Sequence, residues 1–236
     1  MPFAFDPLYL LLMLPGMAVA GWAQTRILSA YREGSRYRAS SGVTGAEAAA
    51  VVMQSGGVRN VQIEPVAGQL TDHYDPSKKI LRLSEQNYRC DSLAAVGVAA
   101  HEAGHAIQDA SHYPLLVVRN LIVPLAGVGG NISMTALLAG VIFQSMTLIW
   151  AGILLFSTVV VFQIVNLPVE FDASRRARQQ LQATGLVTPE EDQIVGKVLG
   201  AAAMTYVAGT LTSILQLLFF VIRAGGVGRR DDDRHT

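Results

Sequence analysis

The sequence predicts a multi-pass α-helical membrane protein with about four transmembrane helices and a small α+β region between the first two. Three observations carry that expectation. The 236 residues are 51% hydrophobic and only 15% charged, whereas about a quarter of residues are charged in an ordinary soluble domain. The charges are also unevenly placed: no Asp, Glu, Lys, Arg or His occurs over 7–25, 120–169 or 198–222. A hydrocarbon core about 30 Å thick is crossed by about 20 apolar helical residues, so the first and last gaps each fit one span and the middle gap fits two. Finally, the stretch between the first two gaps carries helical and strand patterns with capping and turn signals. It is long enough for a small α+β unit, though not for a large core.

The first span covers 7–24. It reads as a retained anchor, because only Asp6 is charged ahead of it and Trp22 with Gln24 make a poor signal-peptide cleavage site. A basic segment follows, with Arg26, Arg32, Arg36 and Arg38 opposed only by Glu33, and opens the α+β part at 26–119. Thr44-Gly45-Ala46-Glu47 has capping-box spacing and starts a short helix that Gly56 and Gly57 can end. Residues 58–63 (VRNVQI) and 79–83 (KILRL) read as strands from their β-branched and alternating apolar positions. LTDHYDPSKK between them reads as a turn region around Asp75-Pro76. The 79–83 strand is a candidate edge for binding extended substrate by strand addition, or an edge that Lys78 and Lys79 protect from aggregation.

A helix from about 92 to 110 follows, with Asp91 as its cap, alanines as good helix formers and Pro114 beyond its end. Spans at 121–141 and 146–167 come next. A polar helix over 168–185 then has Asn166 as candidate cap, Pro168 near the first-turn position and Gly185 at its end. Thr188-Pro189-Glu190-Glu191 is a second capping box and starts a helix over 189–222 that runs into the fourth span. The charged, Gly-rich tail at 223–236 is expected to be disordered. The soluble part must lean on the membrane helices for stability, so the chain reads as one integrated domain over 1–236.

Within the 92–110 helix, residues 101–105 read His-Glu-Ala-Gly-His. Histidines at i and i+4 stand one above the other on one face, so both imidazoles can reach a single metal ion. Glu102 projects beside them, where a carboxylate can take a proton from water activated by that metal. His-Glu-x-x-His arises by chance in roughly 0.3% of shuffled chains of this composition. The plainer reading is an alanine-rich helix whose histidines merely donate hydrogen bonds. The single cysteine, Cys90, excludes an intramolecular disulfide and a cysteine-based zinc site.

A hydrolytic zinc site needs three protein ligands and one open position. Gln108 and Ser111 stand where a longer His-Glu-x-x-His-x-x-Gly-x-x-His pattern requires glycine and histidine. His112 faces the same side but lies about 10 Å from His105 along a continued helix. Glu170 is the better candidate. It follows the second membrane hairpin, and two crossings return the chain to the side of His101 and His105. The plain alternative is an acid at a helix N-terminus. One turn further on, Ser174 shares its face, and Ser174 or Asp172 could accept the other ring N–H of His101 or His105.

Four blocks in order, GQLTDHYDP, VAAHEAGHAIQ, NLPVEFDASRRA and AAAMTYVA, resemble the YugP-like neutral zinc metallopeptidases of bacterial membranes. The resemblance runs from about Thr44 to Val221. More distantly, the arrangement is similar to the gluzincins, including HtpX-like membrane proteases and thermolysin, in which a glutamate on a second helix is the third zinc ligand. The resemblance implies a zincin-like catalytic region with one Zn2+ on His101, His105 and Glu170, and Glu102 as general base in peptide hydrolysis. Those relatives usually carry aspartate four residues after the ligand glutamate, where this chain has Ser174. His73, Tyr74 and Tyr206 are candidates to stabilise the transition state. Loop stabilisation by the first two, and packing by Tyr206, are the plain alternatives.

The expected function is therefore a zinc-dependent membrane endopeptidase of gluzincin type that hydrolyses protein or peptide substrates at or near the bilayer. The rival is a catalytically silent membrane scaffold with a structural metal site, against which Glu102 speaks, since a structural site has no need of a base. A metal transporter would place histidines within the spans, and none of the three gaps holds one. Zero net charge argues against a nucleic-acid partner, and oligomeric state is left open. Arg26, Arg32, Arg36 and Arg38, with Arg175, Arg176 and Arg178, place the active site on the cytoplasmic side of the cell membrane by positive-inside reasoning. Arg223, Arg229 and Arg230 would then lie outside if the last gap spans, against that rule.

Overall fold

The structure, a computed structural model, describes residues 6–232. Its elements run α1 (Pro7–Gly34), α2 (Gly45–Ser55), β1 (Gln62–Val66), β2 (His73–Asp75), β3 (Ile80–Ser84), α3 (Glu85–Arg89), α4 (Leu93–Ala110), α5 (Pro114–Ile142), α6 (Met146–Ala183) and α7 (Pro189–Asp232). Four helices, α1, α5, α6 and α7, are long and apolar enough to cross a membrane. The chain is thus a multi-pass helical membrane protein with a small α+β region.

The chain gathers into two compact units. The first comprises the described residues of Met1–Trp22, Val118–Leu167 and Tyr206–Thr236. Its interior is aromatic and aliphatic, with Leu137, Ile153, Phe156, Val160, Phe219 and Phe220 in one cluster. Tyr9 meets Phe219 edge-on at 5.0 Å, an arrangement that aromatic quadrupoles favour. Its outer face is apolar too. Leu11, Leu121, Phe143 and Leu154 are 69–74% exposed, far more than a water-soluble surface carries in one region, and what lipid chains would cover.

The second unit comprises Ala23–Val117 and Pro168–Thr205, and its core is built on α4. Val52 and Met53 of α2, Leu81 and Leu83 of β3, Leu181 of α6 and Val195 of α7 join Leu93, Val96 and the α4 alanines in one buried cluster. The Thr44 capping box forms on both sides, with Thr44 N–H donating to Glu47 Oε2 at 2.8 Å and Glu47 N–H to Thr44 Oγ1 at 3.3 Å. The second box forms likewise at Thr188 and Glu191. α6 ends in a Schellman turn, with Gly185 at φ 67° and Leu186 N–H donating to the Leu181 carbonyl at 3.0 Å.

Several local expectations are corrected. Val58 does not begin a strand: its N–H closes the Schellman turn of α2 on the Met53 carbonyl at 2.8 Å, and its side chain is buried at that helix end. Strand β1 starts four residues later. Part of the LTDHYDPSKK turn region is strand β2, antiparallel to β3 with Tyr74 opposite Leu81. The turn itself is at 76–79, where Asp75 Oδ1 accepts from the Ser77 and Lys78 N–H groups. The sheet order is β1-β3-β2, so β3 is the central strand and not an open edge.

The cap of α4 is Ser92, whose Oγ accepts from Ala95 N–H at 3.2 Å. Asp91 instead pairs with Arg38 at 3.7 Å. Asn166 caps nothing, because α6 runs unbroken through Pro168 from its apolar half into its polar half. The helix tolerates proline there because one lost intrahelical bond is a small part of so long and packed a segment. α7 continues to Asp232, into the stretch expected to be disordered, and residues 233–236 lie outside the described residues.

Candidate metal centre

The local sequence of α4 decides where the two histidines sit. Ser92 fixes its start, and Leu93, Val96, Ala99, Ala100, Ala103 and Ala106 turn one broad face into the core. Gly104 sets the approach of α6. A Cβ built there would lie 2.5 Å from the Ala173 carbonyl oxygen, well inside van der Waals contact, so only glycine lets the two helices come this close. One turn before Ala173, Glu170 is thereby brought over the histidine pair.

Glu170 Oε2 lies 3.3 Å from His101 Nε2 and 3.6 Å from His105 Nε2. The imidazole centroids are 4.8 Å apart and nearly perpendicular. One ligand atom from each of the three residues lies within 4.8 Å of the others, a group that could hold a metal ion. The centre is largely shielded: the histidine side chains are 14% and 12% exposed and Glu170 is 4% exposed. Glu170 Oε2 is also the buried side-chain oxygen that, among the described residues, has no hydrogen-bond partner. An unpaired carboxylate oxygen in such a place is costly, and a cation between it and the two Nε2 atoms would satisfy it. The spacing fits as well, since donors about 2.1 Å from a tetrahedral ion stand roughly 3.4 Å apart.

Burial alone would depress the His105 pKa, yet it stands above its ordinary value. The nearby negative charge of Glu170, 3.6 Å from His105 Nε2, outweighs burial, and Glu102 and Gln108 add to it. Glu102 is 9% exposed, with no hydrogen-bond partner among the described residues. Its carboxylate is therefore uncommitted beside the two histidines.

Each histidine is held from behind. His101 Nδ1 meets Ser174 Oγ at 3.0 Å, as the shared face of Glu170 and Ser174 suggests. His105 Nδ1 meets Gln108 Oε1 at 3.0 Å. Asp172 reaches His105 only through this glutamine, whose Nε2 donates to Asp172 Oδ2 at 2.9 Å. Sequence reasoning passed over Gln108, noting it only as a mismatch in a longer motif. The signal was available: a glutamine three residues after the second histidine, on a helix rich in alanine and glycine.

The weaker candidates fall elsewhere. His112 occupies the left-handed position that ends α4, with φ 51°, while Tyr113 N–H closes back on the Gln108 carbonyl at 2.9 Å. It is a helix-end residue outside the ligand group. His73 is exposed on β2, its Nδ1 donating to the Thr71 carbonyl at 2.8 Å. Tyr74 is tied to α4, its hydroxyl donating to Asp109 Oδ2 at 2.6 Å. Burial and then that carboxylate push the phenol pKa well above its usual value. Tyr206 lies on α7 in the first unit, partly exposed.

A paired-histidine helix crossed by a second helix that supplies a buried glutamate is an arrangement that could hold a metal ion. The chain belongs to the family described as "Putative neutral zinc metallopeptidase", which matches residues 9–225. It is 43% identical over 215 residues to the "Putative membrane protease YugP" of Bacillus subtilis (strain 168), covering 91% of this chain and 96% of that protein. No solved structure matches it.

Proposed function

We propose that the protein is a membrane-embedded zinc endopeptidase of gluzincin type, in which His101, His105 and Glu170 hold one Zn2+ and Glu102 is the general base. The observation that carries this reading is the convergence of Glu170 Oε2, buried and unpaired, on both histidine Nε2 atoms. Zinc in such a site lowers the pKa of water from 15.7 to about 7 and polarises a substrate carbonyl. The chain's own residues do the rest. The two imidazoles present their Nε2 atoms inward because Ser174 and Gln108 engage Nδ1 of each ring. Glu102 accepts the proton of the attacking water as the bond to the peptide carbonyl forms, then passes it to the amine nitrogen as the C–N bond breaks.

A metal that only braces helices needs no neighbouring base, and structural zinc sites are closed by four ligands. Here the group has three members among the described residues, with Glu102 free beside them, which favours catalysis over the scaffold. Substrates are peptide bonds of proteins at or near the bilayer. The arginines at 26, 32, 36, 38, 175, 176 and 178 all belong to the second unit, which favours a cytoplasmic active site in the cell membrane.

Metal analysis of purified protein and of Glu102→Gln, with a casein or peptide cleavage assay, tests the reading. About one zinc is expected in both, with cleavage only in the parent. Cleavage that survives in Glu102→Gln removes the assigned base, and a parent that binds no zinc removes the centre.

A further inference from the structure

We propose that Gln108 is a positioning residue of the metal centre, an amide whose far end is locked so that its near end can only accept from His105. The inference rests on the reading of His101, His105 and Glu170 as a zinc site. It starts from a residue that is fully buried in an apolar helix. A buried amide is costly unless its hydrogen bonds are met, and Gln108 meets them with groups of one chemical kind at each end.

At the far end, Nε2 donates to the Val169 carbonyl at 2.8 Å and to Asp172 Oδ2 at 2.9 Å. Both partners are acceptors, so the NH2 must face them, and a flipped amide would set oxygen against two oxygens. The Val169 carbonyl can only accept, and Asp172 oxygens already accept from Arg175 and from Arg176 Nε at 2.5 Å. The near end is then Oε1, an acceptor, 3.0 Å from His105 Nδ1. An acceptor at Nδ1 requires the proton to be there. That leaves the Nε2 lone pair directed at Glu170 Oε2 and the metal position. The tautomer of this histidine is thus set by the Val169 carbonyl and Asp172, through one amide.

The same bonds place the third ligand. Val169 immediately precedes Glu170, so the Gln108–Val169 bond ties α4 to α6 at the residue before the carboxylate. One side chain therefore fixes the ring of one ligand and the backbone beside another. His101 has no equivalent, because the Ser174 hydroxyl can either donate or accept. The two histidines are unequally controlled, and His105 is the dictated one.

The test uses full-length protein in detergent or nanodiscs, with zinc affinity by chelator competition and the visible absorption of the cobalt-substituted protein. Gln108→Met keeps size and removes both ends. Gln108→Glu keeps an acceptor for His105 but turns a second oxygen on Val169 and Asp172. Both are expected to weaken zinc about 10–100-fold and to change the cobalt spectrum. Asn87→Ala, which removes a buried amide bonded to Asp72 and Tyr31 elsewhere in the same unit, is expected to lower thermal stability and leave zinc affinity within about twofold. Zinc affinity and cobalt spectrum equal to the parent in folded Gln108→Met overturn the proposal while leaving the zinc site standing. Parental affinity in Gln108→Glu overturns the claim that the far end dictates the near one. A parent that binds no zinc overturns both the site and its positioning residue.

Discussion

The narrowest point of the centre is Gly104, and adding one methyl group there should open it. In Gly104→Ala the new Cβ would stand 2.5 Å from the Ala173 carbonyl oxygen, 3.1 Å from its carbon and 3.3 Å from Ala173 Cα. All three are backbone atoms of α6, so no side chain can swing aside. Ordinary contact is restored only if the helices part by roughly 1 Å. Strain of this kind in a packed core costs about 1–3 kcal/mol. The functional effect should be larger. Glu170 is one turn from Ala173 on the same helix, so the separation carries its Oε2 away from both Nε2 atoms by a similar distance, about half the length of a zinc–oxygen bond near 2.1 Å. Zinc affinity should fall by at least the roughly 10–100-fold that follows loss of an outer-shell partner. Chelator competition and thermal unfolding in detergent measure the two effects. A Gly104→Ala protein with parental zinc affinity and parental melting temperature would refute the argument that close helix approach builds the site.

Other perturbations separate the remaining roles. Glu170→Ala should lose both zinc and cleavage, and full zinc occupancy would point to another third ligand. Tyr74→Phe should cost about 1 kcal/mol of stability from the lost bond to Asp109 and leave turnover within a few-fold. A loss of about 10²–10³ in kcat would instead identify the hydroxyl as an oxyanion donor. Sidedness can be read from the native chain, since Cys90 is its single cysteine and is exposed. A membrane-impermeant maleimide should label it only after cells are opened, and labelling of intact cells would put the centre outside.

The parts of this architecture visible in the sequence are those written in local chemistry. The charge-free gaps mark the four long apolar helices, the i, i+4 histidines share one helix face, and both capping boxes form as their spacing suggests. What was hidden depends on long-range packing. Pro168 reads as a helix start, yet α6 is a single helix from Met146 to Ala183 with Pro168 inside it. Val58 looks like a strand residue because a β-branched side chain serves equally well at a Schellman turn. Strand β2 is three residues long, too short for an alternating pattern to declare itself, and without it β3 could not be recognised as central. Gln108 was legible only as an anomaly, because its partners Val169 and Asp172 come from a helix that the sequence separates from it by two membrane-length segments.

That separation has a bearing on how the protein is made. His101, Glu102 and His105 are synthesised early, on a helix complete at Ala110, whereas Glu170 leaves the ribosome only after all of α5 and the apolar half of α6. On the proposed reading, a nascent chain therefore carries the base and two donors without the residue that completes them. The three-residue group is complete only once the segment carrying Glu170 has been made, so its order of assembly follows chain order.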